Sequence, residues 1–349
     1  MNNAVIPSAF TNWLRVNLFA DKASILITLL FCVASAYCLP AVLDWLLFKA
    51  VFRADAEACR VAQGACWGVV TEKYRVILFG RYPYQEQWRP MLVVGILLLS
   101  IIVSCRRFAD YSRLALAWLL VMLFCFVLLR GGFAGLALVE SSRWGGLPLT
   151  LLLTIGSIAG AFPLAILLAF GRSSQLPVIR ALSTLYIELI RSIPLVSMLF
   201  LAAFIFPLLL PSRYSMDVFI RVLLGITFFL AAYLAEVLRG GLQSIPAGQL
   251  EAAASLGLRP WQVRWHIILP QALRATLPSL INSFISIFKE TSLVTVVGLY
   301  ELTGALTLSL SGDPNWRPFY LEGYLFIAAI YWCGCFALSR HSQQWLNKT

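Results

Sequence analysis

Residues 251–272 read Glu-Ala-Ala-Ala-Ser-Leu-Gly-Leu-Arg-Pro-Trp-Gln-Val-Arg-Trp-His-Ile-Ile-Leu-Pro-Gln-Ala, a charged stretch between two long apolar runs. Just upstream, Ser244-Ile245-Pro246 reads as a helix start, with Ser244 as N-cap and Pro246 near the first turn. The alanine-rich residues 251–256 propagate that helix. Gly257 suits the position just past its end, where a positive φ costs nothing. Arg259-Pro260 restarts the chain in a new direction, because the residue before proline is pushed out of the helical region. A second short helix then leads to Pro270 and the next apolar run. The expected product is a compact surface knob able to transmit a rigid-body push. The plainer alternative is an ordinary amphipathic loop.

Moving outward, the chain is 60% hydrophobic and 12% charged, with a mean hydropathy of +0.83. Soluble domains carry about 25% charged residues, so this composition points to an integral membrane protein. A net charge of +11 does not point to nucleic acid, because the basic residues are scattered singly between apolar runs, as membrane-flanking Arg and Lys are. About eight spans are expected, near 24–48, 88–105, 114–130, 147–170, 182–210, 218–238, 275–298 and 319–338, each of about 20 residues. Residues 1–23 show no small-residue cleavage site, so the first apolar run is read as a span. The fold class is therefore all-α integral membrane.

Arg106, Arg107 and Arg113 cluster in one loop, Arg172 and Arg180 in another, and Arg239, Arg259, Arg264 and Arg274 surround the 251–272 segment. With eight spans these loops share one side with both termini, and the positive-inside rule makes that side the cytoplasm. The opposite short loops hold isolated residues such as Arg213 and Arg317. Residues 49–87 go against the rule, since they carry Lys49, Arg53, Arg60, Lys73, Arg75 and Arg81 yet fall outside. That outer stretch contains Cys59 and Cys66, which an oxidising compartment would let pair; two unrelated free thiols are the other reading. The chain divides near residue 140, into N-terminal extra spans with an outer loop (1–140) and a five-span part (141–349) that carries the motif-like sequence.

Glu251-Ala252-Ala253, Gly257 and Ile268-Leu269-Pro270 at this spacing closely resemble the EAA loop of permeases in ATP-binding-cassette (ABC) importers. Residues 186–195 (Tyr-Ile-Glu-Leu-Ile-Arg-Ser-Ile-Pro-Leu), 232–243 (Ala-Tyr-Leu-Ala-Glu-Val-Leu-Arg-Gly-Gly-Leu-Gln) and 289–299 (Lys-Glu-Thr-Ser-Leu-Val-Thr-Val-Val-Gly-Leu) look like the polar amino acid branch of that family, related to histidine, glutamine and arginine importers. Together they cover about residues 145–340. The extra N-terminal spans and the outer loop, with Gly64-Ala65-Cys66-Trp67, are similar to a membrane subunit of a general L-amino-acid permease. The chain departs from the family pattern at Glu290, where Asp is usual, and at Ser192, where Gly is usual.

The resemblance implies a permease core with a cytoplasmic coupling loop at about 244–270, in a multi-pass protein of the bacterial inner membrane. It implies three partners besides membrane lipid: a cytoplasmic ABC ATPase dimer, a second homologous permease subunit and a periplasmic amino-acid-binding protein. The chain itself would bind no cofactor and catalyse nothing, with ATP and Mg used by the partner ATPase. Consistent with that, no Gly-x-x-x-x-Gly-Lys-Ser/Thr cradle for phosphates occurs. His266 and His341 have no metal-site spacing.

Ionisable residues inside spans are costly, so they pair or line a cavity. Glu188 and Arg191, three apart on one helix face, can pair with each other. Lys289 and Glu290, followed by Thr291 and Ser292, are candidate pathway residues: a zwitterionic amino acid needs an acceptor such as Glu290 for its ammonium and hydroxyl donors for its carboxylate. Structural pairs that fix helix packing would look the same. The rival reading is an ion-coupled secondary transporter with Glu290 as proton carrier, which leaves the 251–272 segment unexplained.

Overall fold

In the computed structural model, which describes residues 12–346 apart from 15, 107–110, 134, 210 and 212–215, helices account for nearly all regular structure. Among the described residues β-pairing is confined to isolated bridges, Val51 to Cys66 and Gly146 to Glu301. Arg107 and Arg213 lie outside the described residues, as do the side chains of Arg106, Arg113 and His341. The chain forms two compact units, Met1–Glu72 and Lys73–Thr349.

The first unit is dominated by α1 (Lys22–Leu43), which runs on through a π-helical turn, Asp44–Phe48. Asp21 caps it, accepting from Ser24 N–H at 2.7 Å. The helix is apolar on every side and buries none of its residues, as a lipid-facing span does. Short α2 (Ala56–Val61) follows, capped by Asp55, whose Oδ1 accepts from Glu57 and Ala58 N–H. Cys59 on α2 is joined to Cys66 by a disulfide, with Cα atoms 5.4 Å apart. Trp67 Nε1 then donates to Leu46 O at 2.9 Å, tying this segment back to the end of the first span. Helix α3 (Gly68–Phe79) carries the chain into the second unit.

That unit holds α4 (Trp88–Arg106), α5 (Tyr111–Arg130), α6 (Gly146–Arg172), α7 (Pro177–Ser192), α8 (Leu195–Leu209) and α9 (Val218–Gln243). Next come α10 (Ala247–Ser255), α11 (Leu269–Glu290), α12 (Leu302–Ser311) and α13 (Tyr320–Leu346). Helices α6 and α9 form the most extensive pair. Small residues let them approach: a side chain at Gly160 would meet Thr227, and one at Gly156 would meet Leu223; Gly225 does the same for α9 against Ala202 of α8. Close approach through small residues is how helices associate where lipid is as apolar as leucine. Trp144, Phe126 and Phe219 close one end of this core, with Trp144 edge-on to both phenyl rings at 5.4 Å.

Six helical stretches are long and apolar enough to cross a membrane: Lys22–Phe48, Tyr84–Ser104, Gly146–Arg172, Val218–Gln243, Pro260–Val297 and Arg317–Arg340. The span expected at 182–210 is instead the pair α7 and α8, bent by 105°. The cause is local. Ile193, before Pro194, is extended at φ −96° and ψ 133°, as a pre-proline residue must be. The part of α5 whose side chains are described, Leu116–Arg130, is apolar but shorter than a full crossing. The compact units part between Glu72 and Lys73, whereas the sequence division near residue 140 separates segments by motif content.

Candidate coupling and transport sites

The segment between α9 and α11 is built by local rules. Helix α9 runs one turn further than the sequence suggests, so Ser244 is its C-cap rather than the N-cap of the next helix. The Ser244 amide donates to Gly240 O at 3.2 Å and its hydroxyl to Gly241 O at 2.8 Å. Pro246 takes the position before α10. At the other end of α10, Gly257 has φ +71°. Its N–H donates to Ala254 O at 2.9 Å, and Leu258 N–H to Ala253 O at 3.3 Å. This pair of bonds is a Schellman closure. Gln262 Oε1 then accepts from Arg259 N–H at 2.9 Å, opening the next helix at Pro260.

That helix is no separate element. It passes through a π-helical stretch, Val263–Ile268, directly into α11, whose first turn accommodates Pro270. The knob is therefore one rigid piece with a span. Its seven sequence-predicted residues sort by burial. Ala253, Ile268 and Leu269 are buried, with Val263 and Leu258 packed beside Ala253 and Ile268. Glu251, Ala252 and Gly257 face outward, and Pro270 lies between. Around them Leu250, Leu256, Trp261 and Trp265 are also exposed, Leu256 at 78%.

Next to the knob lies a cluster of charges. Glu236 on α9 accepts from Arg239 Nε at 3.0 Å and from Arg172 Nη1 of α6 at 3.1 Å, and it lies 3.8 Å from Arg191 Nη1 of α7. Arg172 also reaches Glu188 at 2.7 Å. Glu188 and Arg191 thus pair across helices rather than with each other, because α6 and α9 present an arginine and a carboxylate at the right height. Tyr233 Oη donates to Arg191 O at 3.4 Å.

Lys289, Glu290, Thr291 and Ser292 occupy the far end of α11 but do not converge. Thr291 is fully buried, its hydroxyl donating to Phe288 O at 2.7 Å. Lys289 and Ser292 line a shallow pocket against α13. Glu290 is partly buried. Among the described residues no grouping of His, Cys, Asp and Glu could hold a metal ion, and His266 is exposed with Nδ1 3.2 Å from Gln262 O.

Residues 161–348 match the family described as "Binding-protein-dependent transport system inner membrane component". The chain belongs to this family. It is 40% identical to the inner membrane amino-acid ABC transporter permease protein YhdY of Escherichia coli (strain K12), over 95% of this chain and 90% of that one. It is 32% identical to the glutamate/glutamine/aspartate/asparagine transport system permease protein BztC of Rhodobacter capsulatus, over 95% of this chain and 91% of that one. A crystal structure of an amino acid ABC transporter with histidines superposes with a TM-score of 0.51, at 30% identity, over 58% of this chain and 92% of that one. The permease is thus a multi-span transport subunit, and ATPase activity belongs to a partner chain.

Two fully buried charges of this permease escaped the sequence reading. Glu301, the N-cap of α12, is fully buried. It accepts from Tyr331 Oη at 2.6 Å, Thr303 N–H at 2.8 Å, Gly304 N–H at 3.1 Å, Thr150 Oγ1 at 3.3 Å and Thr295 Oγ1 at 3.4 Å. One carboxylate thereby ties together α6, the end of α11, α12 and α13. Arg89 of α4 is equally buried. Its guanidinium donates to Leu128 O at 2.8 Å, Ala137 O at 2.9 Å and Leu129 O at 3.1 Å, capping the end of α5. Gly131 makes room for it: at φ +65°, an added Cβ would lie 2.3 Å from Arg89 Nη2. The signal available in sequence was an arginine at the mouth of a span and a lone glutamate amid apolar residues.

Proposed function

We propose that the permease is the channel of an ABC importer for polar L-amino acids of broad specificity. The observation that carries the coupling is the knob itself. A Schellman-closed helix presents Glu251, Leu250 and Leu256 on a surface continuous with α11, next to Trp261 and Trp265. Large exposed apolar side chains rimmed by polar ones mark a docking surface, and a cytoplasmic ATPase dimer is the partner that explains a rigid lever. The side bearing the knob is then cytoplasmic, with both termini, and the Cys59–Cys66 segment faces the oxidising side. A second homologous permease completes the channel, a periplasmic binding protein delivers substrate, and ATP and Mg act on the ATPase.

The amino acid class follows from the relatives' substrates and from the motifs around Glu188, Arg191 and Lys289–Ser292. Glu290 is the proposed acceptor for the substrate ammonium. It is partly buried, with the neighbouring Lys289 ammonium acting on its carboxylate, so a substrate ammonium would compete with Lys289 for it. ATP-driven closure of the ATPase moves the knobs, and the spans alternate between two packings of similar free energy.

The test is purification of the tagged chain from native membranes in mild detergent, with its partners identified and ATP hydrolysis assayed. A stoichiometric ATPase, lost on Glu251→Arg, is expected. A chain that purifies alone and moves amino acids into liposomes under an ion gradient overturns the reading.

A further inference from the structure

The basic residues of α3 and the turn after it go against the positive-inside rule, and the structure gives them partners within the protein. Lys73 Nζ pairs with Asp313 Oδ2 at 2.7 Å. Asp313 stands just past the end of α12, where its other oxygen accepts from Asn315 N–H at 3.1 Å. Arg75 lies over the Tyr84 ring at 4.0 Å. Arg81 lies over the Tyr300 ring at 5.1 Å and donates to Ser142 O at 3.2 Å. Tyr300 stands just before α12. Between these contacts Ile77 is fully buried. The stretch Lys73–Arg81 thus holds α12 at both flanks, before its first residue and after its last.

The flank at Tyr300 is a close backbone junction. Gly80 has φ +63°, and a side chain there would lie 2.5 Å from Gly145 Cα. A side chain at Gly145 would lie 2.6 Å from Tyr300 O, and one at Gly146 2.2 Å from Leu78 O. Gly146 N–H donates to Tyr300 O at 3.0 Å. Three segments distant in sequence meet here because each lacks a Cβ or turns its backbone inward. Helix α6 fixes where the junction stands. Its first residue is Gly146 and its last, Arg172, belongs to the Glu236 cluster beside the knob. Its 27 residues span about 40 Å at 1.5 Å per residue, so the junction lies at the end of the bundle remote from the knob. From Tyr300 the contact passes to Glu301, which also accepts from Thr295 Oγ1 in the 3-10 turns Thr291–Val297 and from Tyr331 of α13.

We propose that Lys73 and Arg81 are positioning residues for transport: the stretch Lys73–Arg81, which lies outside the family-matched residues 161–348, is a brace that sets α12 and, through Tyr300 and Glu301, the Thr291–Val297 turns. Thr291 and Ser292 belong to those turns, so the effect on substrate rests on the reading that they line the pathway. The brace touches neither the knob nor the Glu236 cluster, and its loss changes how well substrate is held rather than how the motor drives the cycle. The extra N-terminal segment thereby acquires a function in the core, as the part that fixes the channel at the end away from the ATPase.

The test is ATP-driven uptake of glutamine and of glutamate by the full complex in proteoliposomes, with half-saturating concentration, maximal rate and ATP hydrolysis read on one preparation. Arg81→Gln should raise the half-saturating concentration about threefold, as loss of one exposed cation–π contact would. Lys73→Asp sets two carboxylates face to face and should raise it about fivefold. The exchanged pair, Lys73→Asp with Asp313→Lys, should restore it, because the cycle isolates the interaction between the two side chains. Maximal rate and ATP hydrolysis should stay at wild-type values throughout. If Lys73→Asp fails to assemble, Lys73→Gln provides the same comparison. An unmoved half-saturating concentration in the Lys73 and Arg81 variants overturns the proposal, as does a fall in maximal rate alone or a failure of the exchanged pair to restore function. Ser292→Ala tests the pathway reading separately: if it changes nothing while the brace variants raise half-saturation, the brace stands and Ser292 leaves the pathway.

Discussion

Gly257 shows how one residue can matter for coupling without mattering for folding. A side chain added there would meet nothing within 4 Å, so its cost is confined to the left-handed backbone, about 1 kcal/mol. Gly257→Asp should therefore reach the membrane at wild-type levels and lose ATP-driven uptake, because it places a charge where a partner surface must exclude water. Transport measured in proteoliposomes, beside a count of inserted protein, checks this; undiminished uptake would remove Gly257 from the coupling surface. Glu301 behaves in the opposite manner. Glu301→Ala strips five donors of their acceptor and removes a helix cap, at about 2 kcal/mol or more. Thermal unfolding of the detergent-solubilised chain should shift down markedly. Glu301→Gln, which keeps one acceptor oxygen, should recover part of the loss.

At the scale of elements, the readable features were those governed by neighbours in sequence. Ala253, Gly257 and Arg259-Pro260 closed a helix and opened another through bonds spanning five residues or fewer. The Ile193-Pro194 break was written in the sequence too, but the apolar run on both sides concealed it as one span. Ser244 was misassigned because a serine suits either end of a helix, and only the continuous bonding of α9 decides which. Arg89 and Glu301 were illegible for another reason: their partners stand 39 to 48 and up to 151 residues away. Arg89 carries its own prediction. Arg89→Met keeps much of the side-chain volume but leaves the carbonyls of Leu128, Leu129 and Ala137 without their shared donor, at about 2–3 kcal/mol. The end of α5 should then open, read as faster amide exchange at residues 127–131, while the knob stays protected.

Across the whole molecule, the Glu236 cluster is the joint between the core helices and the knob. Arg239 and Gln243, one turn apart and hydrogen-bonded at 2.8 Å, lead directly into Ser244. Each side chain around Glu236 other than Glu188 is 21–35% exposed, so the ion pairs are screened and contribute about 1 kcal/mol or less apiece. Glu236→Gln should accordingly lower stability only modestly. Its larger effect should be on transport: with α6 and α7 no longer held to α9, ATP hydrolysis should continue while uptake per ATP falls. Assaying both in one proteoliposome preparation decides it, and an unchanged ratio would make the cluster a packing feature alone.

Arg89 also constrains how the protein is made. Its acceptors belong to residues 128–137, which leave the ribosome about forty residues after it. Until they arrive, Arg89, at the mouth of α4, has Glu86 as its partner and the water at the interface. The burial of its guanidinium is therefore expected to come only after α5 has been made, so that α4 and α5 close on each other as a late step of assembly.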